Sequence, residues 1–143
     1  MNKITKEAYI SLLKKADDAR AASYSPYSSK AVGAALLTKS GKIYTGANIE
    51  SASFSPTVCA ERVAFFSAVH AGERDFEAIA VSGGDAGMPA QEKFPPCGVC
   101  RQVMAEFCDD DFKIIVGTPE HAEEYTLAEM LPLRFGKAEM GTE

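Results

Sequence analysis

The sequence lacks several features that would place the protein in a membrane, outside the cell or on nucleic acid. No apolar run approaches the ~20 residues that a membrane-spanning helix needs. The opening residues, MNKITKEAYI, lack the apolar stretch and small-residue cleavage site of a secretory signal, so we expect a cytoplasmic protein. Basic residues are outnumbered, 15 against 20 acidic ones, for a formal charge of -5. A nucleic-acid partner is therefore not expected, since binding phosphates usually requires a basic face.

The composition is that of an ordinary globular protein, with 46% hydrophobic and 24% charged residues. No internal repeat or low-complexity segment interrupts it. A length of 143 residues suits one domain, which we expect to span residues 1–143.

Hydrophobic periodicity and turn residues divide the chain into alternating helices and strands. The pattern predicts helices over Thr5–Ala22, Thr57–His70, Gly98–Phe107 and Thr126–Met130. It predicts strands over Val32–Leu37, Lys42–Gly46, Ala78–Ser82 and Ile114–Val116, the first two forming a hairpin. Alternation of this kind indicates a layered α/β fold in which one central sheet is covered by helices.

Cysteines stand at the starts of two predicted helices. Cys59 begins one of them, and Cys97 and Cys100 lie three residues apart at the start of another. Three thiolates with a fourth position left to water are the ligand set of an open, catalytic zinc site. Helix N-termini also favour thiolates through their partial positive charge. We therefore predict one Zn²⁺ per chain.

Charged residues directly follow these cysteines. Glu61 is two residues from Cys59 and should reach a zinc-activated water rather than the metal, as acceptor and then donor of a proton. Zinc with three thiolates has a net charge of about -1, so nearby cations are expected to compensate. Arg62 and Arg101 are the candidates, Arg62 being preferred.

These residues indicate a hydrolytic deaminase. Activated water would attack a ring carbon that bears an exocyclic amine, while Glu61 carries the proton to the ring nitrogen and then to the departing ammonia. A Cys-Ala-Glu segment followed by Pro-Cys-x-x-Cys is the signature of zinc nucleobase deaminases.

Several further segments resemble the small homotetrameric cytidine deaminases, in order along nearly the whole chain. They are YSPYS (24–28), VGAALLT (32–38), TGANIESAS (45–53), CAER (59–62), PCGVCRQVMAEF (96–107) and LP..FG (131–136). The resemblance implies a three-layer fold with a mixed five-stranded sheet flanked by helices. It also implies a homotetramer with shared active sites, and deamination at C4 of cytidine and deoxycytidine in pyrimidine salvage.

The resemblance assigns substrate-binding roles as well. Asn48 and Glu50 match the family's ribose-binding Asn-x-Glu, and Ala60 falls within the catalytic motif. Phe135 matches an aromatic residue that packs on the pyrimidine from another subunit. Lys30 stands where the family usually has Phe, and we expect it to alter the base pocket and the substrate preference.

Other interpretations of the same residues remain open. The cysteines would be a structural zinc site if Cys108 were a fourth ligand, although a free buried thiol is the alternative for Cys108. Separately from the zinc question, Arg62 and Arg101 are open to interpretation as surface charges, Glu50 as a solvated loop residue and Phe135 as a core residue. Rival functions are a deaminase of a modified cytosine nucleoside or nucleoside antibiotic, a nucleic-acid editor, and a zinc module without activity.

Overall fold

A computed structural model of the chain describes residues 6–142, which form four α-helices and five strands. The helices are α1 (Lys6–Ala19), α2 (Ala60–His70), α3 (Gly98–Phe107) and α4 (Leu127–Met130). The strands are β1 (Lys30–Thr38), β2 (Ile43–Ala47), β3 (Phe76–Asp85), β4 (Lys113–Thr118) and β5 (His121–Thr126).

The five strands form one mixed sheet in the order β2-β1-β3-β4-β5. Strands β3 and β4 are parallel and are connected through α3, whereas every other neighbouring pair is antiparallel. Helices cover both faces, so the predicted fold class, a mixed five-stranded sheet flanked by helices, is confirmed.

Alternating side chains of the strands bury two separate apolar layers. One layer packs under α1 and consists of Leu12, Leu13, Ala16, Ala35, Ala78, Ala80 and Ile115. The other packs under α2 and α3 and includes Leu36, Ile79, Val81, Ile114 and Val116. Alanine dominates the strand residues beneath α1, which allows that helix to lie close to the sheet.

An aromatic cluster joins α2 to α3. The fully buried ring of Phe65 in α2 lies 5.2 Å from that of Phe76 and 6.1 Å from that of Phe107 in α3, measured between ring centroids. Large rings that touch in this way stabilise by their buried area and by their relative orientation. The relative position of the two helices is therefore set by the core.

The predicted helices differ from the observed ones mainly at their ends, where contacts with distant parts of the chain determine the backbone conformation. The first predicted helix continues as one turn of 3-10 helix, Arg20–Ala22, and its predicted first residue, Thr5, lies outside the described residues. α2 begins at Ala60 rather than Thr57, because Val58 is paired with Ile49 in an isolated bridge. α3 has the predicted bounds.

The strand predictions missed β5 and gave β1, β3 and β4 too short. β5 was not predicted because its residues, HAEEYT, are polar and mostly exposed along a sheet edge. β3 continues through Gly83 and Gly84, beyond the predicted end at Ser82, because both glycines pair with β1. A Cβ atom at Gly83 would lie 2.4 Å from the ring of Phe94, so this position of the strand has no room for a side chain.

Within residues 6–142, no helix combines the length and the apolarity that crossing a bilayer requires.

Gly46 in β2 allows α2 to approach the sheet. A Cβ atom at this position would lie 2.4 Å from the carbonyl oxygen of Ala60 and 2.7 Å from the amide nitrogen of Ala64, both backbone atoms of α2. Backbone atoms cannot swing away as the end of a side chain can, so any substitution moves the helix.

We predict that Gly46→Ala lowers the free energy of unfolding by about 1 to 3 kcal/mol, the usual cost of overpacking. The midpoint of urea denaturation measures this change. Gly136→Ala is the matched control, since the nearest atom to a Cβ there is 3.9 Å away. Equal midpoints for the two variants would show that the close packing of β2 and α2 is not required.

Candidate active site

Three cysteine sulfurs meet where α2 and α3 begin. Cys59 is the N-cap of α2, Cys97 is the N-cap of α3, and Cys100 lies in the first turn of α3. Their Sγ atoms all lie within 4.8 Å of one another. Neither cysteine sulfur caps its own helix with a side-chain hydrogen bond, so both helix ends direct free N–H groups and partial positive charge toward the sulfurs.

The spacing of the sulfurs fits a tetrahedral metal ion. Sulfurs bound about 2.3 Å from a tetrahedral zinc lie about 3.8 Å from one another. The Cys59 and Cys97 Sγ atoms are 3.8 Å apart. The three residues therefore fit zinc in both chemistry and spacing. Cys108 is a buried free cysteine outside this cluster, at the C-terminal end of α3.

The surroundings of the cluster already favour a thiolate. A hydrogen bond from the Cys100 thiol, together with the Arg62 guanidinium, lowers the pKa of Cys59 to about 5 against the opposing effect of burial. The same hydrogen bond and burial raise the pKa of Cys100. Cys59 is thus the first to lose its proton, and a divalent cation would remove the remaining protons.

Arg62 contacts the cluster directly. Its Nη2 atom donates to the Cys59 Sγ and to the Thr57 carbonyl, each at 3.5 Å. Its Nε atom is buried without a partner among the described residues. Arg101 donates instead to the carbonyl oxygens of Pro96 (2.9 Å) and Met130 (2.8 Å). Arg62 thus binds a cysteine sulfur, whereas Arg101 binds only backbone carbonyl groups, one of them directly before Cys97.

Glu61 is the buried carboxyl group of the site. It lies in the first turn of α2, is only 4% exposed, and its Oε1 atom has no hydrogen-bond partner in the described part of the chain. Burial raises the pKa of Glu61 to about 7. A carboxyl group that both binds and releases a proton near neutral pH is suited to proton transfer.

Asn48 makes most of its hydrogen bonds within the chain. Its Oδ1 atom accepts from the Val32 amide at 2.9 Å and from the Ser23 hydroxyl at 2.6 Å, and its Nδ2 atom donates to the Lys30 carbonyl at 2.8 Å. Both lone pairs of the oxygen are used, and one of the two amide hydrogens remains. Asn48 can therefore donate one bond to a ligand and accept none.

Glu50 is the acceptor beside it. Its Oε1 atom accepts from the amides of Tyr27 at 3.0 Å and Ser28 at 3.1 Å, and its Oε2 atom accepts from the Ser28 hydroxyl. These bonds, the hydroxyl's first, lower the pKa of Glu50. The carboxylate is half-buried in the chain alone rather than enclosed. Sequence patterns do not indicate the hydrogen bonds between Ser28 and Glu50, because these residues lie in segments that are distant along the chain.

A pocket of about 320 Å³ opens next to Glu50 and is lined by Tyr27, Ser28, Glu50, Phe54 and Thr57. Thr57 connects this pocket to the sulfur cluster, since its carbonyl accepts from Arg62. The rings of Tyr27 and Phe54 meet edge to face, with centroids 5.9 Å apart. The pocket therefore offers aromatic surface beside a carboxylate.

The remaining predicted residues lie farther from this pocket or in the core. Ala60 is fully buried between Cys59 and Glu61. The Lys30 ammonium forms an ion pair with Asp85, and Lys30 is not among the residues that line the pocket. Phe135 is 60% exposed and is held near α3 by the bond from Gln102 to its carbonyl.

Known proteins share both the sequence and the fold. The family model for the cytidine and deoxycytidylate deaminase zinc-binding region matches residues 6–118. A cytidine deaminase of Halalkalibacterium halodurans is 48% identical over 130 residues, which are 90% of this chain and 95% of that protein. A blasticidin-S deaminase of Bacillus cereus is 33% identical over 107 residues, 73% of this chain and 76% of that one.

A solved structure of a similar protein has the same fold. The crystal structure of a cytidine deaminase from Burkholderia pseudomallei superposes with a TM-score of 0.77 at 38% identity, covering 87% of this chain and 97% of that chain. With a family model that spans most of the chain and relatives this similar, the chain belongs to the cytidine and deoxycytidylate deaminase family, defined by its zinc-binding region.

Proposed function

We propose that this protein is a cytidine deaminase, which converts cytidine and deoxycytidine with water into uridine and deoxyuridine plus ammonia. One observation carries the proposal: three sulfurs at the spacing of zinc ligands lie beside Glu61, a buried carboxyl group with an oxygen that no described group satisfies. The name of the Halalkalibacterium halodurans relative supports the same activity.

Cys59, Cys97 and Cys100 would hold one zinc ion per chain, leaving a fourth position for water. Zinc bound in this way supplies a Lewis acid that lowers the pKa of that water toward neutrality. Arg62 offsets the negative charge of the thiolates by donating to the Cys59 sulfur. Arg101 holds the chain before Cys97 through the Pro96 carbonyl and so fixes where α3 begins.

Glu61 would move the proton. Its carboxylate takes a proton from the attacking water as the oxygen adds to C4 of the cytosine ring, and gives the proton to ring atom N3. It then carries the second proton of that water to the 4-amino group, so that the C4–N bond breaks and ammonia leaves. Burial keeps the pKa of Glu61 near 7, where both directions of transfer are accessible.

The sugar would be held by one donor and one acceptor. The remaining amide hydrogen of Asn48 donates to a sugar oxygen, and the Oε2 atom of Glu50 accepts from the 3'-hydroxyl. Ala60 lies between Cys59 and Glu61 along the chain, and we assign it to the floor of the base site.

Neighbouring copies of the chain would complete the site. Exposed aromatic residues support a homotetramer, since Tyr24, Tyr27, Phe54 and Phe135 are each more than half exposed in the single chain. Phe135 would pack on the pyrimidine bound by another subunit. Cysteines that serve as metal ligands rather than in disulfides are typical of a reducing compartment, which supports a cytoplasmic enzyme of pyrimidine salvage acting on small nucleosides rather than nucleic acid.

A second candidate is a deaminase of a modified cytosine nucleoside. The blasticidin-S deaminase of Bacillus cereus, which is 33% identical over 107 residues, supports it. A panel of cytidine, deoxycytidine, cytosine, cytidine monophosphate and blasticidin S distinguishes the two. Loss of cytosine absorbance and release of ammonia are the measurements. Activity on blasticidin S but not cytidine would overturn the first proposal.

We predict that the wild-type protein binds about one zinc per chain and that Cys97→Ala loses it, because two sulfurs cannot close a three-thiolate site. Metal analysis after dialysis measures both. Cys108→Ala is the matched control and keeps its zinc, since Cys108 lies outside the cluster. Zinc retained by Cys97→Ala but lost from Cys108→Ala would assign the metal to another site.

Replacement of Glu61 by glutamine is expected to lower kcat by about 10³-fold or more with cytidine, because the amide keeps the shape but cannot transfer protons. Zinc content and the denaturation midpoint stay as in the wild type. Glu106→Gln, a change at an exposed residue of α3, is the control and keeps its activity. A kcat within about tenfold of the wild type would place the proton carrier elsewhere.

For Glu50→Ala we expect a loss that depends on the sugar. kcat/KM for cytidine falls about tenfold or more, the effect of one hydrogen bond to a charged group, whereas kcat/KM for 3'-deoxycytidine changes little. Free cytosine, which lacks the hydroxyl, is a poor substrate of the wild type. Kinetics of both proteins with both nucleosides form a cycle, and equal losses would show that Glu50 does not contact the 3'-hydroxyl.

A further inference from the structure

One turn of the chain, residues 25–29 before β1, supplies every hydrogen bond that Glu50 receives in the described structure. The amides of Tyr27 and Ser28 donate to Oε1 at 3.0 and 3.1 Å. The hydroxyl of Ser28 donates to Oε2. Ser28 thus contacts both carboxylate oxygens, one from its backbone and one from its side chain.

The hydroxyl of Ser28 has a defined direction. Its oxygen accepts the backbone N–H of Lys30 at 3.0 Å, so its single hydrogen is free to point at Glu50. Glu50 is therefore surrounded by donors alone and is held as an acceptor. Oε1 already receives two bonds and Oε2 receives one, so the lone pair that remains for a ligand belongs to Oε2.

The turn itself is tied to the body of the protein. The Ser29 amide donates to the Ser25 carbonyl at 3.1 Å, and the Ala86 amide donates to the Ser29 carbonyl at 2.8 Å. Ser29 has φ of 60°, a left-handed conformation that a residue other than glycine keeps only when its surroundings enforce it. The donors that face Glu50 are consequently fixed before any ligand arrives.

We propose that Ser28 is a positioning residue that orients the Glu50 carboxylate so that Oε2 accepts the free 3'-hydroxyl of a nucleoside. This inference rests on the proposed function and deepens it. Because Oε2 can accept but not donate, the substrate class is restricted to sugars that carry a hydrogen donor at the 3' position. A 3'-O-methyl group or a 3'-phosphate has no such donor at neutral pH, and the phosphate also repels the carboxylate.

The test compares three variants with the wild type, all loaded with zinc. Ser28→Ala removes the hydroxyl and Ser28→Thr retains it, with room for the added methyl because Ser28 is exposed. Ser29→Ala is the matched control, since the hydroxyl of Ser29 has no partner among residues 6–142. kcat and KM are measured with cytidine, 3'-deoxycytidine and 3'-O-methylcytidine.

For Ser28→Ala we expect KM for cytidine to rise about tenfold, the size of one hydrogen bond to a charged group, with kcat within about twofold of the wild type. Kinetics with 3'-deoxycytidine stay unchanged, and Ser28→Thr and Ser29→Ala behave as the wild type. A loss of the same size with cytidine and 3'-deoxycytidine, or no loss with either, would overturn the role of Ser28.

A binding measurement separates this inference from the proposed function. Calorimetry with uridine and 3'-deoxyuridine is expected to show weaker binding of uridine by Ser28→Ala and equal binding of 3'-deoxyuridine by both proteins. If the wild type does not deaminate cytidine, the proposed function fails, but the binding arm still decides on Ser28. If the wild type deaminates cytidine, and Ser28→Ala prefers cytidine over 3'-deoxycytidine by the same factor as the wild type, only the role of Ser28 is wrong.

Discussion

The candidate site depends on the meeting of two helix N-termini. The N-cap residue of α2 and that of α3 are both cysteines, and the packing of the two helices on one face of the sheet brings these N-termini together. The approach of α2 to β2 requires the absence of a side chain at Gly46, and the ring of Phe65 links α2 to α3. Ligand spacing is therefore a property of the core, since shifting either helix separates the sulfurs.

Charge at this point is balanced by elements that the same packing provides. Three thiolates next to a carboxylate would repel one another, but two helix ends and the Arg62 guanidinium face the sulfurs. Burial raises the pKa of Glu61, so this carboxyl group can be protonated, and therefore uncharged, beside the three thiolates. The arrangement can hold a divalent cation and still leave one group able to exchange a proton.

How much of this could be predicted from the sequence differs between the fold and the site. Regular hydrophobic spacing predicted α3 to the residue, and the cysteine spacing indicated the metal cluster, because both signals are local. β5 was missed, since an exposed edge strand needs no apolar alternation. The bonds from Ser23 to Asn48 and from Ser28 to Glu50 connect residues more than twenty positions apart, and no local pattern specifies them.

The substrate that suits the site follows from two features taken together. A carboxylate surrounded by donors is an anion, and it lies on a chain whose formal charge is already -5. In the sugar-binding role proposed for Glu50, a nucleic-acid strand would bring a 3'-phosphodiester against that carboxylate, which removes the donor and adds repulsion. A free nucleoside brings a hydroxyl to the same position. The charge of the chain and the geometry of one turn thus favour the same small, neutral substrate.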